Sequence, residues 1–316
     1  MAAHYLEFER PIGELEAKIE ELSKLSDTAG PGSFDTEIEA LRRRVADMRR
    51  DTYSHLDAWQ KTQIARHPQR PHFVDYVAAL IEEFVELRGD RAYADDQAIM
   101  GGMGRFRGQP VMVIGQEKGH DTTTRIKHNF GLARPEGYRK AVRLMDLAEQ
   151  FGLPVISLVD TQGAYPGLES EERGVAEAIA RGTERCLTLQ TPMVCVVTGE
   201  GMSGGALGIA AANKVMMLEH SVYAVITPEG CASILMRDGT KAEGAAKAMK
   251  ITAQDLIVSK VIDRIIPEPP GGAHADPAAT IKAVGDAIED ELNLLSPLSA
   301  KELKAQRAAR FLAIGR

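Results

Sequence analysis

Apolar residues recur along this chain with three rhythms. In the first fifty residues Ile12, Leu15, Ile19 and Leu22 step by three, four and three, and Ile38, Leu41, Val45 and Met48 do the same. That spacing predicts two amphipathic helices. The turn-rich string 27-DTAGPGS-33 separates them, so the helices should fold back and bury their seams together. Glu14, Glu16, Glu20 and Glu21 then face Arg42, Arg43, Arg44, Arg49 and Arg50, either as solvated faces or as a surface for a partner subunit. The proline-bearing segment 65-ARHPQRPHF-73 interrupts the pattern and reads as a boundary, followed by a helix over 74–87.

The second rhythm is a repeat. The strings 110-PVMVIGQEKG-119, 154-PVISLVDTQG-163 and 192-PMVCVVTGEG-201 each open on proline, run through apolar residues and reach glycine at the tenth position. A fourth, 221-SVYAVITPEG-230, follows the scheme with serine first. Short apolar runs rich in Val and Ile predict strands buried on both faces, hence a parallel sheet. The third rhythm is helical and follows the turns: 135–151 with Pro135 at its first position and Gly152 past its end, 169–187, 204–212, and 228–235 capped by Thr227. Such strand–turn–helix units gather their glycine turns at the carboxyl ends of the strands, where ligands bind. An amphipathic helix near 277–295 and a basic, helical tail over 300–316, a candidate intersubunit arm, end the chain.

Composition narrows the function. The 316 residues are 44% hydrophobic and 26% charged, which reads as a soluble globular protein. No apolar run approaches the roughly 18 residues a membrane span needs, and the charged N-terminus lacks a signal-peptide core, so a cytoplasmic location without membrane contact is expected. A formal charge of −7 argues against a general nucleic-acid surface. Cys186, Cys195 and Cys231 are isolated, so neither a disulfide framework nor a zinc site is indicated.

The richest string is 198-TGEGMSGGALGIAAANKVMM-217. Gly199, Gly201 and Gly204 satisfy G-x-G-x-x-G between a strand and a helix, and Glu219 stands 20 positions beyond Gly199, as in a dinucleotide fingerprint. Against that reading, the following helix has room for only about ten residues, and one pyrophosphate leaves the other repeats unexplained. The alternative is a pocket for a developing anion. Adjacent glycines at a helix start present consecutive N–H groups at the positive end of the helix dipole, with no β-carbon to obstruct a substrate carbonyl. A tight turn with close helix–sheet packing would need the same glycines.

The strings GEGMSGGAL, 160-DTQGAYPG-167, 171-EERG-174, 129-NFG-131, 135-PEGYRKA-141 and 228-PEGCASIL-235 together resemble the alpha subunit of bacterial acetyl-coenzyme A carboxylase carboxyltransferase. So do 65-ARHPQRP-71, 88-RGDRAYADD-96 and 266-IPEPPGGAH-274, in the same order along the whole chain. The resemblance implies an α/β, crotonase-like spiral of ββα repeats with an N-terminal helical hairpin. It implies a hairpin over 1–65 for subunit contact, a carboxyltransferase core over 66–270 and a C-terminal helical extension over 271–316. The implied activity moves a carboxyl group from carboxybiotin on a carrier protein to acetyl-CoA, giving malonyl-CoA in the first committed step of fatty acid synthesis. Implied partners are a zinc-ribbon-bearing carboxyltransferase beta subunit, the biotin carboxyl carrier protein and biotin carboxylase, in an alpha2beta2 heterotetramer, with no metal in this chain.

By motif, Gly204 and Gly205 are the expected oxyanion donors, with Gly163 and Ala164 lining the pocket from the second turn. Gln162 stands where the family usually has proline, so the turn gives up some preorganisation. Gly201, Met202 and Gly230 are expected around the same loops, Met202 narrowing the pocket. The basic residues Arg125, Lys127, His128, Arg134, Arg139, Lys140 and Arg143 are candidates for coenzyme A phosphates or for acidic groups on a partner, with Arg134 and Arg139 assigned to substrate, and some of the set read as solvated faces of the helix after Pro135. Glu200 and Glu229 lie near the turns, where a carboxylate is more often a cap or ion pair than a base. A stand-alone crotonase-type hydratase or decarboxylase, and a scaffold for the zinc-bearing subunit, are the competing readings.

Overall fold

The computed structural model describes residues 4–29 and 34–315. Two helices open the chain, α1 (Arg10–Ala29) and α2 (Asp35–Ser54), and pack together with Ile12, Ile38 and Val45 buried. Of the expected cross-helix charges, Glu16 pairs with Arg49. Residues 30–33 of the expected breaker lie outside the described residues. A short α3 (Ala58–Ala65) follows, and then a segment that is no linker. Residues 66–72 cross the ends of the central strands, and Arg70, fully buried, grips Glu268 with two 2.8 Å bonds and donates to the Thr198 carbonyl at 2.8 and 3.2 Å. Burial opposes the charge on Glu268, but Arg70 outweighs it and holds that carboxyl down to about 2.

The expected helix over 74–87 divides into α4 (Phe73–Leu80) and an edge strand, β1 (Ile81–Glu86). Its second half pairs antiparallel with β2 (Ile99–Phe106), Ile81 opposite Phe106 and Val85 opposite Met103. Sheet pairing offered by a distant segment overrides a helical local pattern. β2 pairs antiparallel with β3 (Gln109–Gln116), so the sheet is mixed. Beyond β3 come α5 (Thr122–Lys127), α6 (Pro135–Phe151), β4 (Val155–Thr161), α7 (Leu168–Glu172), α8 (Val175–Thr188), β5 (Met193–Met202), α9 (Ser203–Ala210) and β6 (Lys214–Leu218). The fourth repeat forms only β7 (Val222–Ala224), paired with the far end of β5. The rest is α10 (Pro228–Leu235), α11 (Ala242–Met249), α12 (Ala253–Val258), β8 (Arg264–Ile266), α13 (Pro277–Leu295) and α14 (Ala300–Leu312).

The strand order is β1-β2-β3-β4-β5-β6-β8, parallel from β3 onward. β4 and β5 are buried along their whole length. Alternate residues still face different layers, as a pleat requires. Val155, Val159, Met193, Cys195 and Val197 pack on the face covered by α6, α8 and α9. Ile156, Leu158, Val194 and Val196 pack on the other, against α4 and α13. The boundary expected at residue 270 therefore cuts through the core, since Val284, Ile288 and Leu292 of α13 belong to it. The described part of the basic tail also folds home. Arg307 of α14 is fully buried and donates to the carbonyls of Cys186 and Leu189 at 2.7 Å, tying the tail to the end of α8.

Histidines join the N-terminal hairpin to this core. His67 stacks on His274 with centroids 3.7 Å apart and reaches the His4 carbonyl at 2.9 Å, while His220 lies edge-on to Tyr53, whose hydroxyl donates to Glu9 at 2.5 Å. Burial, then His67 and Arg70, hold His274 down to about 3, and burial lowers His67 and His220 as well. The unfolded chain binds protons at these rings near pH 6.5 and the folded chain does not. Their contribution is therefore complete above that pH and lost progressively as pH falls toward 3. Thermal unfolding should show the melting temperature dropping between pH 7.5 and 5.5, and His274→Phe, which keeps the stack without titrating, should reduce the slope. An unchanged slope in that variant would remove the histidines from this role.

Candidate active site

The residue just before the closing glycine in the four repeats is Lys118, Gln162, Glu200 and Glu229. The fold brings all four into one hydrogen-bonded cluster. Glu200, fully buried in β5, accepts from Arg66 Nε at 2.7 Å, Gln162 Nε2 at 3.1 Å and Lys118 Nζ at 3.3 Å. Arg66 continues to Glu229 with bonds of 2.5 and 3.1 Å. Lys118 also pairs with Asp160 at 2.5 Å, and Asp160 accepts the backbone N–H of Glu200 at 2.9 Å. A buried carboxylate persists only with such partners. Burial disfavours charge on Lys118, but Asp160 and Glu200 outweigh it and raise its pKa; burial likewise opposes Arg66, which Glu229 and Glu200 raise. Neither Glu200 nor Glu229 is left as an unpaired carboxylate.

Above this cluster the third repeat passes from strand to helix. β5 runs to Met202, the chain turns through Ser203 at φ +59°, and α9 begins. No side chain caps the helix, and among the described residues no acceptor of the chain meets the N–H of Gly204 or Gly205. Gly205 presses on the second turn. A β-carbon there would stand 2.4 Å from the Gly163 carbonyl carbon and 2.7 Å from the Ala164 nitrogen, so only glycine fits. Gly163 has φ +145° and donates its N–H to the Thr161 hydroxyl at 3.1 Å. The Ala164 N–H has no acceptor among the described residues, so of the two it is the one available to a ligand.

Two clefts flank the turns. A polar one of about 320 Å³ has Arg66, Lys118, Asp160, Gln162 and Glu200 in its wall. An apolar one of about 830 Å³ opens beside Ser203 and Gly204 and runs over Leu207, Tyr223, Val225 and Ile234.

Other expected residues stand elsewhere. Gly199 and Gly201 lie inside β5, where Gly201 pairs with Thr161 and Tyr223, so they form no phosphate loop and the dinucleotide reading fails. Met202 is fully buried among Ala65, Val222, Ala246 and Ile251 and does not narrow a pocket. The Gly230 N–H is used by the Thr227 cap at 3.2 Å. Arg139 is bound to Asp90 at 2.8 Å and the Arg173 carbonyl at 3.2 Å, its charge already matched within the fold. Lys140 and Arg143 likewise secure residues 87–96, Lys140 through Asp95 and Arg143 through the Leu87 and Gly89 carbonyls. Arg134 lies over the Tyr165 ring at 4.5 Å and 3.7 Å from Glu169, partly exposed. Burial pushes the Cys186 and Cys195 thiols up to about 12, which keeps both unreactive. Among the described residues no group of three His, Cys, Asp or Glu is placed to hold a metal ion. Lys118 and Gln162 were legible in the repeat, at the position shared with Glu200 and Glu229. Arg66 carried no such signal.

Three comparisons bear on this geometry. A family model described as acetyl co-enzyme A carboxylase carboxyltransferase-like matches residues 5–315. The acetyl-coenzyme A carboxylase carboxyl transferase subunit alpha of Caulobacter sp. (strain K31) is 71% identical over 316 residues, covering 100% of this chain and 99% of that protein. Its counterpart in Phenylobacterium zucineum (strain HLK1) is 72% identical, with the same coverage. Among solved structures, transcarboxylase 12S with methylmalonyl-coenzyme A and methylmalonic acid bound superposes with a TM-score of 0.57 at 18% identity, over 73% of this chain and 44% of that one. That likeness concerns the fold, which is crotonase-like.

In Gly205→Val the added side chain collides with the second turn's backbone. Overpacking of this kind costs about 1–3 kcal/mol or more, so the variant should melt several degrees lower or fail to fold. Gly204→Ala meets only the Ile179 side chain at 3.1 Å and should melt close to the parent. Equal melting temperatures for the two variants would contradict the packing described.

Proposed function

The chain belongs to the acetyl-coenzyme A carboxylase carboxyltransferase family, alpha-subunit type, and we propose that its α9 N-terminus holds the negative charge that develops during carboxyl transfer. The activity is that of a transferase acting in acetyl-CoA carboxylase, forming malonyl-CoA. In the proposed scheme the carboxyl group arrives on biotin borne by a carrier protein and loaded by biotin carboxylase; bound biotin supplies that group. The chain's own part is to position and to stabilise. Gly204 and Gly205 offer N–H groups at the positive end of α9, and Ala164 offers a third beside them. Such donors favour a developing oxyanion over a neutral carbonyl, and losing one raises the barrier by about 3–4 kcal/mol. The single observation that carries the reading is this uncapped helix start, pressed against the second turn with its amides unclaimed. Because Glu200 and Glu229 are paired, catalysis rests on orientation and fixed dipoles more than on a titrating base of this chain.

The apolar cleft supports a second subunit. Val225, Ile234 and Leu235 are 80%, 69% and 75% exposed beside Gly204, a contiguous patch of the kind that marks a protein interface. The proposed occupant is the zinc-ribbon-bearing beta subunit, completing the site in an alpha2beta2 assembly. Arg134, partly exposed, remains the candidate for an anionic group of the substrate. No described helix is long and apolar enough to cross a membrane.

Titrating the beta-type subunit against this chain, with malonyl-CoA and free biotin as substrates, tests the scheme. Turnover should be absent from either chain alone and saturate with partner; turnover from this chain alone would favour the stand-alone acyl-CoA enzyme instead. Ile234→Glu should weaken association at least tenfold without changing the melting temperature of the isolated chain.

A further inference from the structure

The cluster around Glu200 does more than neutralise buried charge. We infer that Gln162 is a positioning residue for the transfer reaction, its side-chain amide setting the gap between the second turn and the α9 N-terminus by donating to Glu200. The inference rests on the proposed role of those turns.

Four observations lead to it. Glu200 is an immobile reference: it is fully buried, held by Arg66 and Lys118, with its own N–H on Asp160. It lies in the strand that delivers α9, three residues before Ser203 and four before Gly204. Gln162 sits on the second turn with its residue exposed, yet its Nε2 reaches back to Glu200 Oε2 at 3.1 Å. On its far side the turn is held by its backbone, where the Tyr165 N–H donates to the Ala133 carbonyl at 2.9 Å and Ala164 bridges Ala133. The Gly163 N–H donates to the Thr161 hydroxyl, whose single proton has the Gly131 carbonyl at 2.7 Å and the Gly163 carbonyl at 2.8 Å as alternative acceptors, and nothing lies within 4 Å of where a Gly163 β-carbon would be. Space opens on one side of the turn while Gly205 crowds the other. The Gln162–Glu200 bond is the direct side-chain tie from the near side of the turn to the strand that carries the helix amides.

A donor 3 Å from a charged acceptor also confers direction. An isosteric carboxylate at position 162 would retain shape and volume, yet repel Glu200 and push the turn toward the open side. Mere packing would not distinguish the two side chains.

The experiment uses the complex reconstituted with the beta-type subunit, assayed with malonyl-CoA and free biotin. In Gln162→Ala, kcat should fall about tenfold, the scale of one hydrogen bond to a charged group, with the KM for malonyl-CoA and the melting temperature nearly unchanged. Gln162→Glu should lose more at pH 8 and recover part of the deficit as pH is lowered and its carboxylate protonates. Gln162→Lys, which restores an N–H donor toward Glu200, should regain most of the parental kcat. Parental kcat in both the Ala and Glu variants would overturn the inference, as would equal losses in Ala, Glu and Lys with no pH dependence. A parent complex without turnover would instead overturn the reading of the site on which the inference rests.

Discussion

One buried carboxylate organises this end of the molecule. Glu200 leaves water entirely and recovers its solvation from a guanidinium, an ammonium and an amide that come from three distant parts of the chain. Removing either charged partner, Arg66 or Lys118, would strand a buried charge, at about 3–5 kcal/mol. The bonds it makes have direction, so the cost enforces geometry as well as pairing. The first, second and third repeats meet at Glu200 directly, and the fourth joins through Arg66 and Glu229. The glycine turns above it inherit their spacing from that arrangement.

Around this point the fold supplies rigidity in layers. β4 and β5 form a fully buried centre, with helices on both faces, so the carboxyl ends of the strands cannot shift independently. The strap over 66–72 closes those ends from the N-terminal side, Arg66 on Glu200 and Arg70 on Thr198 and Glu268. Against such a frame the α9 start can stay uncapped. Its missing hydrogen bonds are tolerable because the helix is anchored by Ala206, Ile209 and Ala210 in the core. Structure and chemistry divide the same feature: stability comes from the buried end of the short helix, and unspent dipole remains at the exposed end.

Much of this was visible beforehand, and the failures have physical causes. The repeats marked strands and glycine turns, because strands buried on both faces must read as apolar runs. The strand over 81–86 was hidden because Ile81, Phe84 and Val85 keep the i, i+3, i+4 spacing of a helix, and only pairing with β2, across an irregularity between Glu82 and Val85, makes the segment extended. The G-x-G-x-x-G string misled because glycines inside a strand cannot be told from glycines in a loop by spacing alone; β5 extends to Met202. The basic residues on α6 looked available to a ligand, yet Arg139 and Lys140 face Asp90 and Asp95 of a loop some fifty residues earlier.

The sequence by itself determined the order of strand, turn and helix, the placement of glycine where a β-carbon is intolerable, and the family, because these reside in local pattern and in strings of adjacent residues. Tertiary structure alone decided which charges are spent and which donors are free. Arg66, Lys118, Gln162, Glu200 and Glu229 are spread over more than 160 positions, and a carboxylate's role depends on what surrounds it in space. Solvation and hydrogen bonding act over a few ångströms, a distance the linear chain does not record.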